Sequence, residues 1–148
     1  MKGAMTVKLY FICTGNTCRS AMAEAIVKAK QLPHLEVKSA GIFATPHVPM
    51  SDNAKAVLAE QAIEESHSAS QVQAANMAWA DYILTMTAHH LMTLREMYPE
   101  HAQKMHTLHE FATGDTRDVQ DPFGGNTEVY RQTFNELQQA IEQIIHHE

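Results

Sequence analysis

Two side chains near the start of this 148-residue chain have the types and the spacing for chemistry on an oxyanion. Cys13 follows the apolar run at residues 7–12, and Arg19 comes six positions after it. The residues between them are small or polar, and a helical pattern begins at Ser20. Backbone amides, a helix N-terminus and a guanidinium all attract anions, and this segment gathers them around one point. The pattern predicts a bound phosphate-sized oxyanion with a sulfur nucleophile beneath it.

The nucleophile needs help from its surroundings, because a cysteine attacks only as the thiolate and the pKa of a free thiol is about 8.5. The helix start and Arg19 favour the thiolate, and the hydroxyls of Thr14 and Ser20 can hydrogen-bond the sulfur. The planar fork of Arg19 also matches two oxygens of a phosphoryl group. Gly15 and Asn16 tolerate the positive φ that a tight anion loop often requires. The predicted phosphate-binding residues are Thr14, Gly15, Asn16, Thr17, Cys18, Arg19 and Ser20.

Three aspartates in the polar segment at residues 112–125 are candidates for a general acid. A carboxylic acid can protonate the departing group, and its carboxylate can then activate the water that attacks a phosphocysteine. Pro122 biases the residue before it toward an extended backbone, which distinguishes Asp121 from Asp115 and Asp118. On the residues alone Asp121 is the better candidate, and Asp118 stays an open alternative. Two of the three are expected to be solvated loop carboxylates.

Strand-like and helical patterns alternate along the chain. Strands are predicted at residues 7–12, at 35–38 with a turn at 39–41, at 82–86 and at 105–108. Helices are predicted at residues 20–30, after Ser51 to about 62, at 70–78, at 87–98 and from 126 or 127 onward. This alternation predicts one α/β domain over residues 1–148, in three layers, with a four-stranded parallel sheet and helices on both faces. Ligands of such sheets bind beyond the carboxyl ends of the strands, where Cys13 is predicted to lie.

Composition excludes several classes of partner. The 17 acidic and 11 basic residues give a formal charge of −6, which argues against a nucleic-acid or anionic-membrane surface. Neither a bilayer-spanning apolar run nor a secretory segment is present, and residues 1–5 are expected to form a flexible tail. Both cysteines lie in the predicted loop, so a secreted disulfide framework is not expected. A cytoplasmic protein, monomeric by default, is the simplest expectation.

The ten histidines do not indicate a metal site. Adjacent histidines occur at residues 89–90 and 146–147, and on a helix the two side chains of such a pair do not face the same way. The Cys and His residues show no zinc spacing. The histidines are expected at the surface, and neither a metal nor a cofactor is predicted.

The combined pattern resembles the low-molecular-weight protein tyrosine phosphatase family. The matching segments are residues 11–20, 22–24, 39–41, 80–84 and 121–124. In that family the Asp of the Asp-Pro pair is the general acid, so the resemblance gives this role to Asp121. It implies a phosphatase acting on phosphorylated proteins through a cysteinyl-phosphate, with Cys13, Arg19 and Asp121 as its catalytic residues. Ala21 departs from the family, which usually has proline there to preset the helix start.

Thr17 points within that family toward phosphoarginine. It occupies a position where the tyrosine phosphatases commonly carry isoleucine, and it resembles the protein arginine phosphatase branch. Residues 80–87, 109–114 and 121–125 extend this likeness. A small polar side chain at Thr17 suits a planar guanidinium, and Phe123 can cover the guanidinium face, a contact worth about 0.5–2 kcal/mol. Alternatively, Thr17 is a filler and Phe123 a core anchor.

Other functions are also compatible with parts of this pattern. The main alternative is a phosphotyrosine phosphatase. An arsenate reductase requires a relay of further cysteines, which this chain lacks. A phosphate-binding module without turnover would not need Cys13, Arg19 and Asp121 together. A buried cysteine beside a surface arginine would explain the spacing alone, but not its position between a strand and a helix.

Cys18 suggests a redox response. It lies five residues from Cys13 in a curled loop, where two sulfurs can approach bonding distance. Mild oxidation would then form a Cys13–Cys18 disulfide and protect Cys13 from higher oxidation. The alternative is that Cys18 is a small buried hydrophobic residue.

Overall fold

The order of strands and helices largely follows the sequence pattern. The computed structural model describes residues 6–146, so the expected tail at residues 1–5 lies outside the described residues. The strands are β1 (Val7–Cys13), β2 (Leu35–Gly41), β3 (Tyr82–Thr85) and β4 (Met105–Thr107). The helices are α1 (Arg19–Ala29), α2 (Asp52–Glu60), α3 (Ala74–Trp79), α4 (Ala88–Met97), α5 (Leu108–Thr113) and α6 (Thr127–His146). A 3₁₀ turn, Pro99–Lys104, separates α4 from β4.

The four strands form one parallel sheet in the order β2-β1-β3-β4. Both neighbours of β1 therefore come from later in the chain, and its register with β2 runs from Val7 opposite Leu35 to Cys13 opposite Gly41. Parallel strands are covered on both faces, which explains why β1 is almost continuously apolar. The predicted four-stranded parallel sheet is confirmed.

Helices cover both faces of the sheet. Because side chains alternate along a strand, Leu9 and Phe11 pack on one face and Tyr10 and Ile12 on the other. The larger face holds α1, α2, α5 and α6, and the smaller face holds α3 and α4. The buried stripe of α6 contains Tyr130, Phe134, Leu137, Ile141 and Ile144, as predicted, while Ile145 is half-buried. The three-layer α/β architecture is confirmed.

The predicted helix at residues 70–78 is wrong in its first half. The backbone N–H of Gly41 donates to the Ser70 carbonyl at 2.9 Å, and Val72 N–H donates to the Gly41 carbonyl at 3.3 Å. This pairing beside β2 keeps the segment extended, so α3 begins only at Ala74. The turn predicted at residues 39–41 is likewise strand, since β2 continues to Gly41.

The sequence pattern also missed α5. The Thr107 hydroxyl accepts the Glu110 N–H at 3.3 Å at its start, and Gly114 ends it in the left-handed region at φ 80. A threonine followed three residues later by glutamate, with a glycine after the last turn, is a readable capping pattern. The predicted loop therefore begins after this helix.

Candidate active site

The phosphate loop, defined as residues 14–18, joins the end of β1 to the start of α1. It lies at the carboxyl edge of the sheet, where the chain crosses from β1 to neighbours on either side. Cys13 and Arg19 flank the loop and are both buried, at 3% and 5% exposure. The backbone therefore brings the predicted thiol and guanidinium to the same end of the sheet.

Asn16 fixes the conformation of the loop. Its φ of 60 lies in the left-handed region, which Asn tolerates better than most residues, whereas Gly15 does not have a positive φ. The buried Asn16 amide donates to the hydroxyls of Ser20 at 2.8 Å and Ser39 at 2.9 Å. Its oxygen accepts the Ser70 N–H at 2.9 Å. These three bonds offset the cost of the backbone strain.

The Asn16 amide also limits where the Ser20 hydroxyl can donate its hydrogen bond. Because the Ser20 oxygen already accepts from Asn16, its hydroxyl hydrogen can go to the Cys13 sulfur, 2.8 Å away, or to the Ala40 carbonyl, 3.4 Å away, and the shorter contact favours the sulfur. Such a bond stabilises a thiolate. The expected contact between the Ser20 hydroxyl and the sulfur is present, whereas the one expected for the Thr14 hydroxyl is not. The Thr14 hydroxyl lies 2.8 Å from His90 Nε2 instead.

A second polar network supports the loop from behind. Ser39 donates to Glu24 at 2.5 Å, and His67 Nε2 donates to the Asn16 carbonyl at 2.6 Å. Burial opposes ionisation of the Glu24 carboxyl, but polar contacts with His67, Lys28 and Ser39 outweigh it and lower the pKa of Glu24 to about 2. Glu24 is therefore an anion that orients Ser39. Sequence reasoning gave no role to Glu24 or His67, since their partners are remote in the chain.

Gly41 is required by the close approach of the phosphate loop. A Cβ at this position would lie 2.4 Å from the Thr14 carbonyl oxygen and 2.9 Å from the Asn16 nitrogen. The Thr14 carbonyl also accepts the Phe43 N–H at 3.0 Å. The end of β2 thus presses directly against the loop, and no other residue fits there.

Asp121 lies beside the phosphate loop. Arg19 Nη1 donates to the Val119 carbonyl at 3.0 Å, and Arg19 Nη2 lies 3.6 Å from Asp121 Oδ2. The Asp121 side chain is 55% exposed, so it can reach a substrate and solvent water. Its other oxygen accepts the Phe123 N–H at 3.1 Å, which orients the carboxyl.

The two other aspartates have different partners. Asp118 accepts the backbone N–H of Ala88 at 2.9 Å and so caps the start of α4. Asp115 pairs with Arg117 at 3.1 Å in an exposed contact. Asp118 is therefore not the purely solvated carboxylate that was expected. The geometry favours Asp121 as the acid, and its catalytic role stays a prediction.

Two exposed aromatic side chains flank this region. Phe123 is 80% exposed, so the interpretation of Phe123 as a core anchor is wrong. It lies in a turn closed by a bond from Gly125 N–H to the Pro122 carbonyl at 2.8 Å, with Gly124 at φ 84. Phe43, which sequence reasoning missed, is 75% exposed and comes two residues after Gly41, the end of β2 that supports the loop.

Thr17 and Cys18 form the end of the phosphate loop that leads into α1. The Cys18 thiol is 3.5 Å from the Ser51 hydroxyl and 3.4 Å from the Tyr130 hydroxyl, and neither cysteine is in a disulfide. Burial and the contact with Cys18 raise the pKa of Tyr130 to about 12, so its phenol is neutral. Thr17 is half-buried, and its carbonyl accepts the Ser51 N–H at 3.0 Å.

The expectation that the histidines lie at the surface is wrong for three of them. His90 and His109 are buried, and the His67 side chain is 7% exposed. Each of these three histidines has a polar partner, and for His109 this is Glu136 at 2.5 Å.

Among residues 6–146, no cluster of His, Cys, Asp and Glu could hold a metal ion. In the same range no helix combines the length and apolar composition of a membrane span.

A buried thiol below a loop of backbone amides, with a carboxyl group at its rim, is built for transfer of a phosphoryl group to sulfur. The class of protein with this sheet and loop is the cysteine-dependent phosphatase. Residues 8–147 match the family described as low molecular weight phosphotyrosine protein phosphatase. The chain belongs to that family.

Several proteins similar to this chain in sequence or structure are named as arginine phosphatases. A curated protein-arginine-phosphatase from Geobacillus stearothermophilus is 45% identical over 140 residues, covering 95% of each chain. The solved structure of the YwlE arginine phosphatase from Geobacillus stearothermophilus has a TM-score of 0.93 and 44% identity, covering 95% of this chain and 91% of that one. A YwlE arginine phosphatase in which serine replaces cysteine and the active-site serine is phosphorylated has a TM-score of 0.91 and 36% identity, covering 95% of both.

Proposed function

We propose that this protein is a protein arginine phosphatase, which hydrolyses the P–N bond of phosphoarginine in proteins. The observation that carries the chemistry is the Cys13 sulfur 2.8 Å from the Ser20 hydroxyl, at the base of the phosphate loop. The likeness to proteins named arginine phosphatases supports the choice of substrate.

In the first step the Cys13 thiolate attacks phosphorus and the bond to the guanidinium nitrogen breaks. The amides of the phosphate loop and the Arg19 fork bind the three non-bridging oxygens, whose charge develops in the transition state. The electron pair of the P–N bond goes to the departing nitrogen, Asp121 gives its proton to that nitrogen, and the arginine leaves as its ordinary guanidinium. The products of this step are the unphosphorylated arginine side chain of the substrate protein, a cysteinyl-phosphate and the Asp121 carboxylate.

In the second step water cleaves the P–S bond. The Asp121 carboxylate takes a proton from the water as its oxygen attacks phosphorus, and the electron pair of the P–S bond returns to the sulfur. Ser20 then stabilises the restored thiolate. Inorganic phosphate leaves, and Asp121 is again protonated for the next cycle. The arginine phosphatase whose active-site serine, in place of cysteine, is phosphorylated supports a phosphoryl group on the Cys13 sulfur.

Thr17 and Phe123 are the proposed specificity residues. Thr17 leaves more room above phosphorus than an isoleucine would and adds a hydroxyl. Phe123 is bonded through its backbone N–H to Asp121 and exposes its ring, which can lie against the planar guanidinium of a bound substrate. Both features suit a flat, hydrophilic leaving group.

Thr17→Ile tests the choice of substrate. We expect kcat/KM for a phosphoarginine peptide to fall about tenfold, while kcat/KM for a phosphotyrosine peptide stays equal or rises, because one shape change gives modest discrimination. The two peptides are compared in initial-rate assays of released phosphate. Thr17→Val, which keeps the shape of threonine without its hydroxyl, separates the two contributions. Unchanged phosphoarginine preference in Thr17→Ile would contradict the role of Thr17.

The second candidate function is phosphotyrosine hydrolysis, favoured by the description of the family. The same machinery would protonate a phenolate oxygen instead of a guanidinium nitrogen. A wild-type kcat/KM higher for the phosphotyrosine peptide than for the phosphoarginine peptide would replace the proposed substrate by this one.

We also propose that Cys13 and Cys18 form a reversible redox pair. Attack of the Cys13 thiolate on hydrogen peroxide gives a sulfenic acid and hydroxide, and attack by Cys18 on that sulfur then expels water and leaves a disulfide. Both thiols are unpaired and buried at the same loop, which supports the pairing.

Mass spectrometry of peroxide-treated protein tests the redox pair. We expect an internal disulfide in the wild type and full recovery of activity with dithiothreitol. In Cys18→Ser the sulfenic acid has no partner, so inactivation should become irreversible through sulfinic acid. Equal recovery of both proteins would contradict the proposal.

The likeness to protein-arginine-phosphatases supports the expected class of partner, and the other expectations rest on the sequence. Phosphorylated proteins are the proposed partners, and a cytoplasmic monomer that needs no metal stays a prediction. The net charge of −6 continues to argue against nucleic acid and anionic membrane.

A further inference from the structure

His90 contacts the phosphate loop although it lies 76 residues away in the chain. It is in the first turn of α4 and only 6% exposed. Its Nε2 lies 2.8 Å from the hydroxyl of Thr14, the residue that directly follows Cys13. Neither the proposed mechanism nor the sequence pattern gives this histidine a role.

The hydrogen-bonding capacity of the imidazole is directed at Thr14 alone. Nδ1 of His90 is buried and has no hydrogen-bond partner among residues 6–146. Burial, followed by the nearby charges of Arg19 and His89, lowers the pKa of His90 to about 4, so the ring is neutral at pH 7. A neutral ring carries one N–H, and a buried N–H without a partner is costlier and rarer than an unused acceptor. The proton therefore belongs on Nε2, and His90 donates to the Thr14 oxygen.

This direction leaves the hydrogen of the Thr14 hydroxyl free. Thr14 is exposed at the mouth of the loop, where the phosphoryl group is proposed to bind. An oxygen that already accepts from a rigid donor presents its own O–H in a restricted set of directions. A preoriented donor stabilises a developing oxyanion better than a freely rotating one.

The turn that carries His90 is itself held in place. The Thr87 hydroxyl accepts the His90 N–H at 3.0 Å, and Asp118 accepts the Ala88 N–H at 2.9 Å. Val119 N–H donates to the Met86 carbonyl at 2.9 Å just before this turn. The start of α4 thus connects the segment that bears the candidate acid to the phosphate loop.

We propose that His90 is a positioning residue, whose Nε2–H fixes the Thr14 side chain so that the Thr14 hydroxyl donates to a phosphoryl oxygen. The inference rests on the proposed function of the phosphate loop. It adds one side-chain donor, set by a remote histidine, to the backbone amides of that loop.

Binding of inorganic phosphate, measured by calorimetry, tests the inference independently of turnover. His90→Leu fills the space without a donor, and we expect it to weaken phosphate about tenfold, the value of one hydrogen bond to a charged group. His90→Gln can place an amide N–H near the position of Nε2, and we expect it to stay within about threefold of wild type. This rescue separates a donor from a residue that only fills space.

Thr14→Val completes a double-mutant cycle. If His90 acts through the Thr14 hydroxyl, Thr14→Val alone should weaken phosphate at least as much as His90→Leu, and the double variant should lose little more than Thr14→Val. Wild-type affinity in His90→Leu, a loss in His90→Gln equal to that in His90→Leu, or additive losses would overturn the inference. If His90→Leu does not fold, Thr14→Val and His90→Gln decide. A wild type that binds phosphate but hydrolyses no phosphorylated peptide would instead contradict the proposed function.

Discussion

Cys13→Ser is expected to lower kcat by at least about 10³-fold while phosphate affinity stays within about threefold of wild type. The serine oxygen can occupy the position of the sulfur beside Ser20, but its hydroxyl is not ionised at neutral pH and is a weak nucleophile. The loop amides and Arg19, which are proposed to bind the phosphoryl oxygens, are unchanged. Initial rates with a phosphoarginine peptide and calorimetry with inorganic phosphate measure the two quantities.

The same variant provides a trap for the intermediate. A phosphate ester of serine is hydrolysed far more slowly than a cysteinyl-phosphate. The substrate should therefore leave one phosphoryl group on residue 13. Peptide mapping by mass spectrometry locates that group, and an unchanged melting temperature shows that the variant is folded. A phosphoryl group on any other residue, or turnover near the wild-type rate, would contradict a cysteinyl-phosphate mechanism.

Local sequence predicted the parts of the site that are built from neighbouring residues. Cys13, Arg19 and the loop between them lie within seven residues, and their strand–loop–helix context was readable from apolar periodicity and small polar residues. The capping pattern of α5 is equally local, since its threonine, glutamate and glycine lie within eight residues of one another.

Contacts between remote residues could not be predicted in the same way. His90 reaches Thr14 and His67 reaches Asn16 across 76 and 51 residues, and no local pattern distinguishes a buried histidine with a partner from an exposed one. Ser70 has a neighbourhood that suits a helix, yet tertiary pairing with Gly41 keeps it extended. A single sequence carries the propensities, whereas these outcomes depend on which surfaces meet.

The choice between two aspartates shows how such contacts affect function. Asp118 and Asp121 lie in one loop, and both are polar, acidic and near the site. The structure gives Asp118 a backbone partner at the start of α4, whereas Asp121 Oδ2 lies 3.6 Å from Arg19 with more than half of its side chain exposed. A carboxyl already used as a helix cap is poorly suited to carry a proton to a substrate.

Asp121→Asn is therefore expected to lower kcat/KM for phosphoarginine by about 10²–10³-fold, the usual contribution of a positioned general acid. The guanidinium nitrogen is a strongly basic leaving group and needs a proton as the P–N bond breaks. With p-nitrophenyl phosphate, whose leaving group departs without a proton, the first step should stay fast and the hydrolysis of the phosphocysteine should become slow. Rapid-mixing assays should then show a burst of nitrophenolate followed by a slow steady state.

Asp118→Asn is the matched control. The amide oxygen of the new asparagine can still accept the Ala88 N–H, as the Asp118 carboxylate does. We expect its rates to stay within about threefold of wild type with both substrates. The opposite result, with the loss in Asp118→Asn and little change in Asp121→Asn, would move the acid to Asp118. Equal losses for both substrates in Asp121→Asn, without a burst, would show that the carboxylate acts through the position of Arg19 and not by proton transfer. A loss of kcat/KM confined to the basic leaving group, together with a burst on p-nitrophenyl phosphate, is the outcome that a proton donor and acceptor explains.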